Sequence, residues 1–463
     1  MQEFIISVGV VVICVVIAVM YLYPRSTKVT TVPGLDASDE VLGNLPDLQK
    51  AGSLHQFLMI LHKNYGDIVS FWFGQQLVVS IASPRLFKQH SKVFNRPPLL
   101  FKYLESFITP ESIQYCNGDE ARQRHVAYGR CYSDQAMRAY YPTINKLADE
   151  LVQKWGNTPP EEHIALHETC YDMAVSVMLQ CSLDKHLLED SIAKKLRKNY
   201  DVAWSALERG LVEGDPEEGS DSEKTFQKGH KYRTQLAAKK TFTDTLKKVL
   251  EDYKNNLPTE VKTTLIDVLS RSDLSEAKTV ADLLTAFVGG FHTSGSLMNF
   301  TLYFLATHPD VEQKLSNEIQ QVLGVDESGN QCKVTPENID QLVYLRQVLE
   351  ETLRISIVAP YAARFEDVES ELEDIAYRRE FDPERFSPEN RKKLPPFAFE
   401  PFGFAGKRKC FGWKFGFTEN TIVMAAIVGH FKLSMVPGQK WESVYGLNTK
   451  PSKEIWITVT KRN

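Results

Sequence analysis

The apolar positions of the chain fall into a few distinct patterns. Phe4 to Tyr23 is an unbroken run of twenty residues without a charge; as a helix it spans the roughly 30 Å hydrocarbon layer of a bilayer. Leu54, Phe57, Leu58 and Leu61 recur at helical spacing within Leu54 to Tyr65. Ile68 to Phe73 and Leu77 to Ile81 are β-rich runs joined across Gly74-Gln75-Gln76, which predicts a hairpin. Val280 to Thr307 predicts one helix of about 42 Å, at about 1.5 Å per residue, stopped by His308-Pro309. Val311, Leu315, Ile319 and Val322 mark a further amphipathic helix, and Leu342 to Arg354 another. Phe415 to Val428 is apolar and long enough for a helix. These elements predict a mainly α fold with a small β-sheet.

Charges around the first run give it a direction. Glu3 precedes it, Arg25 and Lys28 follow it, and Tyr21 and Tyr23 sit where an interfacial belt would be. The positive-inside bias then puts the C-terminal side in the cytosol. A cleaved signal peptide would need a positive leader and a shorter apolar core. Pro33-Gly34 and Gly43-Asn44-Leu45-Pro46 are breakers. The expected organisation is an anchor over 1–25, a linker over 26–50 and a catalytic domain over 51–463. Glu213 to Glu223, EGDPEEGSDSE, reads as an acidic surface loop.

Composition excludes more than it selects. The 463 residues, 43% hydrophobic, suffice for a large core, and the net charge of -5 argues against nucleic acid as a partner. Seven cysteines, an odd number without a CxxC pair, read as a reduced, cytosol-facing chain without a disulfide framework or zinc site.

One of those cysteines stands apart. Pro401 to Gly412 reads PFGFAGKRKCFG. Gly403, Gly406 and Gly412 allow tight turns and close approach to a flat ligand. Lys407, Arg408 and Lys409 make the surroundings electropositive, which favours thiolate over thiol. A thiolate so placed before a helix suits an axial ligand to haem iron; a buried structural Cys beside a solvated basic run is the plain alternative. Within the long helix, Gly289 to Ser294 reads GGFHTS. Two adjacent mid-helix glycines cost about 1 kcal/mol each, which close approach of a cofactor face would justify.

Gly406, Arg408, Cys410 and Gly412 resemble the cysteine loop of the cytochrome P-450 haem-thiolate monooxygenases. The resemblance extends over nearly the whole chain. It implies that Cys410 is the axial ligand of haem b, iron protoporphyrin IX, and that Gly406 and Phe404 belong to the cofactor loop. The family usually has Phe seven residues before the Cys; here Gly403 stands there, between Phe402 and Phe404. Thr293 fits the family's oxygen-activation motif, with His292 in the place of its acid as a candidate proton donor. Glu351 and Arg354, with Arg385 of FDPERF, match a structural triad behind the haem. Arg364 of PYAAR and Arg408 match residues that pair with haem propionates. In GDEARQRH, Gly118 to His125, Ala121 and His125 replace a Trp and an Arg that face the propionates, with Arg122 and Arg124 as substitutes.

Between Val368 and Phe381 there are only twelve residues, ESELEDIAYRRE. The family normally has two strands and a short helix there, which need roughly twenty residues or more. The expectation is that part of the sheet is deleted. FWFG (Phe71 to Gly74), AARFEDVE (Ala362 to Glu369) and EIWITVTKRN (Glu454 to Asn463) are most similar to the animal family-twenty cytochromes P-450, a group without an assigned substrate.

The resemblance implies a monooxygenase on the endoplasmic reticulum membrane, its domain facing the cytosol. Its expected partners are NADPH-cytochrome P-450 reductase, cytochrome b5, membrane lipid, O2 and an apolar small molecule. Lys407, Lys409 and Lys414 are candidates for meeting an acidic reductase, or a solvated patch. Two other readings stand beside it: a reductase-independent haem-thiolate isomerase or dehydratase, and a non-catalytic haem-binding protein.

Overall fold

A computed structural model describes residues 30–97, 104–105, 107–159, 161–183, 195–204, 207, 223–356, 358–359, 380–403, 406–445 and 449–462. The run Phe4 to Tyr23, most of the acidic loop, the interval 369–379, Arg364 and Phe404 lie outside the described residues. Among the described residues no helix is long and apolar enough to cross a membrane.

The described residues form two compact units, divided between Leu86 and Phe87. The described residues of the smaller unit hold α1 (Leu45–Ala51), α2 (Leu54–Tyr65), β1 (Ile68–Phe73) and β2 (Gln76–Ile81). Ser53 caps α2 by accepting from the Gln56 N–H at 3.1 Å. The two strands pair antiparallel, with Ile68 opposite Ile81. Gly74, at φ +60°, supplies the left-handed residue that the turn requires. Phe57 and Leu61 bury the predicted helix face against Val69 and Phe71.

The larger unit is helical. Its elements, in order, are α3 (Gly118–Gly129), α4 (Asp134–Gly156), β3 (Ile164–Ala165), α5 (Leu166–Ser182), α6 (Glu223–Asn255), α7 (Leu265–Ser270), α8 (Glu276–Thr307), α9 (Pro309–Leu323), α10 (Val343–Ser356), α11 (Trp413–His430), and the strands β4 (Phe431–Met435), β5 (Ser443–Tyr445), β6 (Thr449–Pro451) and β7 (Trp456–Lys461). A three-stranded antiparallel sheet runs β3–β7–β4, and β5 pairs with β6. The architecture is mainly α with small antiparallel sheets, as expected.

α8 is the axis of this unit. Ser275 caps it, accepting from the Lys278 N–H, and it starts four residues before the predicted Val280. α5, α10, α11 and β4 pack around it. Gly290 and Gly295 explain the closeness of α5: a Cβ on Gly290 would lie 2.8 Å from Met178 Sδ, and one on Gly295 2.9 Å from the Tyr171 ring. Packing between helices, rather than a cofactor face, therefore accounts for Gly290. Gly289 has nothing within 4 Å of its would-be Cβ and is exposed.

The C-terminal strand is locked by a buried acid. Glu312 on α9 accepts from the Leu433 N–H at 2.9 Å and pairs with Arg462 at 2.8 Å, while Arg462 Nε donates to the carbonyls of Val428 and Phe431. The chain after β7 thus ends on an ion pair that closes β4 over α9.

Candidate functional site

Among the described residues between Pro401 and Gly412 there is no strand, only one 3-10 turn, Gly406–Arg408. The path of this stretch is set by single hydrogen bonds. The Gly403 N–H donates to the Glu400 carbonyl at 3.0 Å, and the Cys410 N–H to the Phe402 carbonyl at 2.9 Å. Gly403 sits at φ +97°, a conformation a Phe in its place would resist. Gly406 needs no special backbone angle; its surroundings are simply open. Phe402 packs on Phe417 of α11, ring centroids 5.3 Å apart.

Among the described cysteines, Cys131, Cys170 and Cys181 are buried, Cys116 and Cys332 half-buried, and Cys410 exposed. Yet burial raises the Cys410 thiol above its usual pKa, against the Gly412 N–H, Arg96 and Lys409, which lower it. The basic neighbours expected to favour the thiolate do act in that direction, but desolvation outweighs them. Arg96, which reaches Cys410 electrostatically, was not singled out from the sequence; its one signal is the Pro97-Pro98 pair that fixes an extended backbone after it.

Cations near the loop are largely committed to protein partners. Arg408 is buried, with Nη2 donating to the carbonyls of Ile113 at 3.1 Å and Cys116 at 2.8 Å, and its guanidinium 4.6 Å from the Phe94 ring centroid. Its Nη1 is buried without a partner. His125 Nε2 donates to the Lys409 carbonyl at 2.9 Å. Burial lowers its pKa, and Arg408 and Arg96 add to the effect. At this nitrogen His125, expected to face the cofactor, holds the loop backbone. Arg122 pairs with Asp119 at 2.7 Å on the surface. Arg124 is buried and pairs with Glu120 and, at 3.3 Å, with Asp282. Neither arginine takes the place of the expected propionate partner.

On α8, Thr293 is half-buried and its hydroxyl donates to the Gly289 carbonyl. His292, one residue earlier, points elsewhere. It is buried in an aromatic cage, its ring 4.6 Å from those of Trp204 and Phe291, 5.2 Å from Tyr200 and 5.4 Å from Tyr171. Burial holds its pKa well below the usual value, and Nε2 has no partner. His292 and Thr293, expected to act together, thus make different contacts, the imidazole among aromatic rings and the hydroxyl on the Gly289 carbonyl.

Glu351, Arg354 and Arg385 come together. Arg354 makes a two-pronged contact with the fully buried Glu351, Nε at 2.7 Å and Nη2 at 2.8 Å. Arg385 Nε lies 3.4 Å from Glu351 Oε1, and the Asp382 N–H donates to the same oxygen at 2.8 Å. The carboxylate thus ties α10 to the segment 380–386.

A second buried acid was missed. Glu419 on α11 is fully buried, and its two oxygens make no hydrogen bond. Burial pushes its pKa up to about 8, with the Ser294 hydroxyl of α8 offsetting only part of the cost. It hides in the sequence because its helix is otherwise apolar.

The donor set fits haem. An exposed thiol, a Gly412 N–H that favours its thiolate, an open Gly406 and a buried Arg408 Nη1 without a partner among the described residues are what a flat iron porphyrin with two propionates would require. A profile of the family described as "Cytochrome P450" matches residues 33–375 and 379–458. The chain belongs to the cytochrome P450 family. The family binds haem, and its general activity is haem-thiolate monooxygenation. This P450 is 29% identical to "Cytochrome P450 20A1" of Mus musculus over the full length of both chains, and 28% identical to that of Homo sapiens, again over both in full. It is also 24% identical to "Bifunctional cytochrome P450/NADPH--P450 reductase 2" of Bacillus subtilis, over 91% of this chain and 42% of that one.

Two predictions follow from the buried acids of this P450. Glu351→Ala strands two guanidinium groups and the Asp382 N–H, and should cost about 3 kcal/mol or more, read as a lower midpoint in chemical denaturation; Arg385→Lys should cost less. Glu419 keeps its proton in the folded chain after the unfolded chain has lost it. Stability should therefore fall as pH rises from 4.5 to about 8. Glu419→Gln should flatten that dependence, and an unchanged slope in the variant would show that another group carries it.

Proposed function

We propose that this chain is a membrane-anchored monooxygenase that inserts one atom of O2 into an apolar organic substrate, with electrons from an NADPH-dependent reductase. The observation that carries the reading is Cys410, the exposed cysteine among the described residues, in a glycine-containing loop beside the Gly412 N–H.

Bound haem would supply the iron at which dioxygen is reduced. Cys410 Sγ would hold that iron, and the Gly412 N–H would temper the charge on sulfur. Arg408 Nη1 would meet a propionate, with Arg364 as its second cation. Thr293 donates its proton to the Gly289 carbonyl and keeps its oxygen lone pairs to accept from a water. Protons would enter from solvent at the exposed Gly289 turn, not from His292. Glu351, Arg354 and Arg385 would hold α10 behind the site.

The apolar run Phe4 to Tyr23 supports an anchor in the endoplasmic reticulum membrane, with the catalytic domain in the cytosol. The printed name of the Bacillus subtilis relative, which joins a P450 to an NADPH–P450 reductase, supports a flavoprotein donor; cytochrome b5 is a further donor in this reading. The family profile breaks between residues 375 and 379, and the alignment with the mouse relative exceeds this chain by 25 columns. Both support a shortened segment between Val368 and Phe381. The neutral, caged His292 favours a second reading, a haem-thiolate isomerase or dehydratase that takes no reductase electrons. The shortened segment favours a third, haem binding without catalysis.

The full chain, reconstituted in lipid with the reductase and a panel of apolar compounds, decides among them. The first reading expects NADPH-dependent incorporation of labelled oxygen from O2, abolished in Cys410→Ala. Turnover of a lipid hydroperoxide without reductase would favour the second, and bound haem without either reaction the third. In the same preparation, deleting residues 1–25 should release the chain from carbonate-washed membranes; retention would refute the anchor.

A further inference from the structure

The segment 109–116 and the helix α3 lie between α8 and the cysteine loop, and one carboxylate holds both. Asp282, near the start of α8, is buried. Its Oδ1 accepts from the Ile113 N–H at 2.6 Å. Its Oδ2 accepts from the Tyr128 hydroxyl and from Arg124 Nη1, the latter at 3.3 Å. A neighbouring bond, Ser112 Oγ to Thr285 Oγ1 at 2.6 Å, ties the same segment to the next turn of α8. Arg124 Nη1 also donates to the Glu111 carbonyl at 2.7 Å, so α3 and the segment are joined to each other as well.

Each of these two elements then reaches a residue next to Cys410. From the segment, the carbonyls of Ile113 and Cys116 accept from Arg408 Nη2 at 3.1 and 2.8 Å. From α3, His125 Nε2 donates to the Lys409 carbonyl at 2.9 Å. The Ile113 residue is gripped on both sides, its N–H by Asp282 and its C=O by Arg408. Arg408 is two residues before Cys410 and Lys409 one.

We propose that Asp282 is a positioning residue for the cysteine loop: through Ile113–Arg408 and through Arg124/Tyr128–His125–Lys409 it fixes the backbone on the N-terminal side of Cys410. Its functional consequence rests on the reading of Cys410 as the haem ligand; the mechanical claim does not. The physical basis is that the loop has little regular structure of its own. Its geometry is the sum of a few bonds, and two of them end on elements that share one buried anion. Removing that anion takes the opposite charge from the buried Arg124 guanidinium, which keeps Glu120 and the Glu111 carbonyl, and weakens the hold on the Ile113 N–H and the Tyr128 hydroxyl, a loss that low-dielectric surroundings make large. The strain is relieved by moving the segment and α3, and the cysteine loop moves with them. A group that merely added stability would loosen its own neighbourhood and leave the loop as it was.

Amide hydrogen exchange on the full chain separates the two. In Asp282→Asn, exchange should rise about tenfold both in 109–129 and in 402–412, including the Cys410 N–H that donates to Phe402. Glu312→Gln, a buried acid at the C-terminal strand lock, should destabilise the fold and leave 402–412 at the wild-type rate relative to the global unfolding rate. Tyr128→Phe, which removes one donor and leaves the carboxylate, should raise exchange in the loop less, and serves where Asp282→Asn fails to fold. The haem-loaded proteins give a second readout: the ferrous carbon monoxide spectrum of Asp282→Asn should show an increased share of the thiolate-lost form. Faster exchange in 109–129 with an unchanged 402–412, in either variant, would overturn the proposal. A wild-type chain that lacks the thiolate spectrum would refute the ligand reading and leave the exchange result to decide the positioning role.

Discussion

The thiol of Cys410 has to be reachable and immobile at once, and nearly everything in the larger unit answers to that constraint. A regular helix or strand would fix the residue but enclose its side chain; a free loop would expose it but let it wander. The chain solves this with a loop whose hydrogen bonds go outward. The Cys410 N–H binds back to Phe402, Arg408 is anchored by the carbonyls of Ile113 and Cys116, and Lys409 is held by His125. Behind it, α11 supplies the N-terminal peptide whose Gly412 N–H lowers the thiol's pKa.

The cost of this arrangement is a set of buried polar groups. Asp282, Glu351 and Glu312 are each taken from water and each repaid by several donors, so each carboxylate becomes a joint between elements distant in sequence. Glu419 is different: the Ser294 hydroxyl offsets only part of its burial, and the proton it retains does the work of a partner. His292 is the basic counterpart, kept neutral by the same desolvation. Where the family resemblance puts a charged acid, this chain has His292 in an aromatic cage.

How far all this is legible in the sequence follows from the range of the forces involved. α2 and the β1–β2 hairpin have local causes, a period and a turn glycine, and were readable to within a residue. The Glu351–Arg354 pair was readable because i, i+3 spacing puts both on one face; Arg385 needed the family pattern, since no local signal links it to them. The double glycine of α8 was visible, but its cause was not: Met178, more than a hundred residues away, decides Gly290. Asp282, Arg96 and Glu419 were silent for the same reason. Their partners are contributed by other elements, and a single charged residue in an apolar run gives no hint of what lies opposite. His292 shows the converse error, a residue rightly noticed whose direction only the packed rings could set.

The most direct test of this account is the reduced, carbon monoxide-bound difference spectrum of the purified full-length chain beside Cys410→Ala. The account predicts the red-shifted Soret band of a thiolate-ligated haem in the wild type and its loss in the variant. A chain without haem, a wild-type band of haem that has lost its thiolate, or a red-shifted band that survives in Cys410→Ala would contradict it.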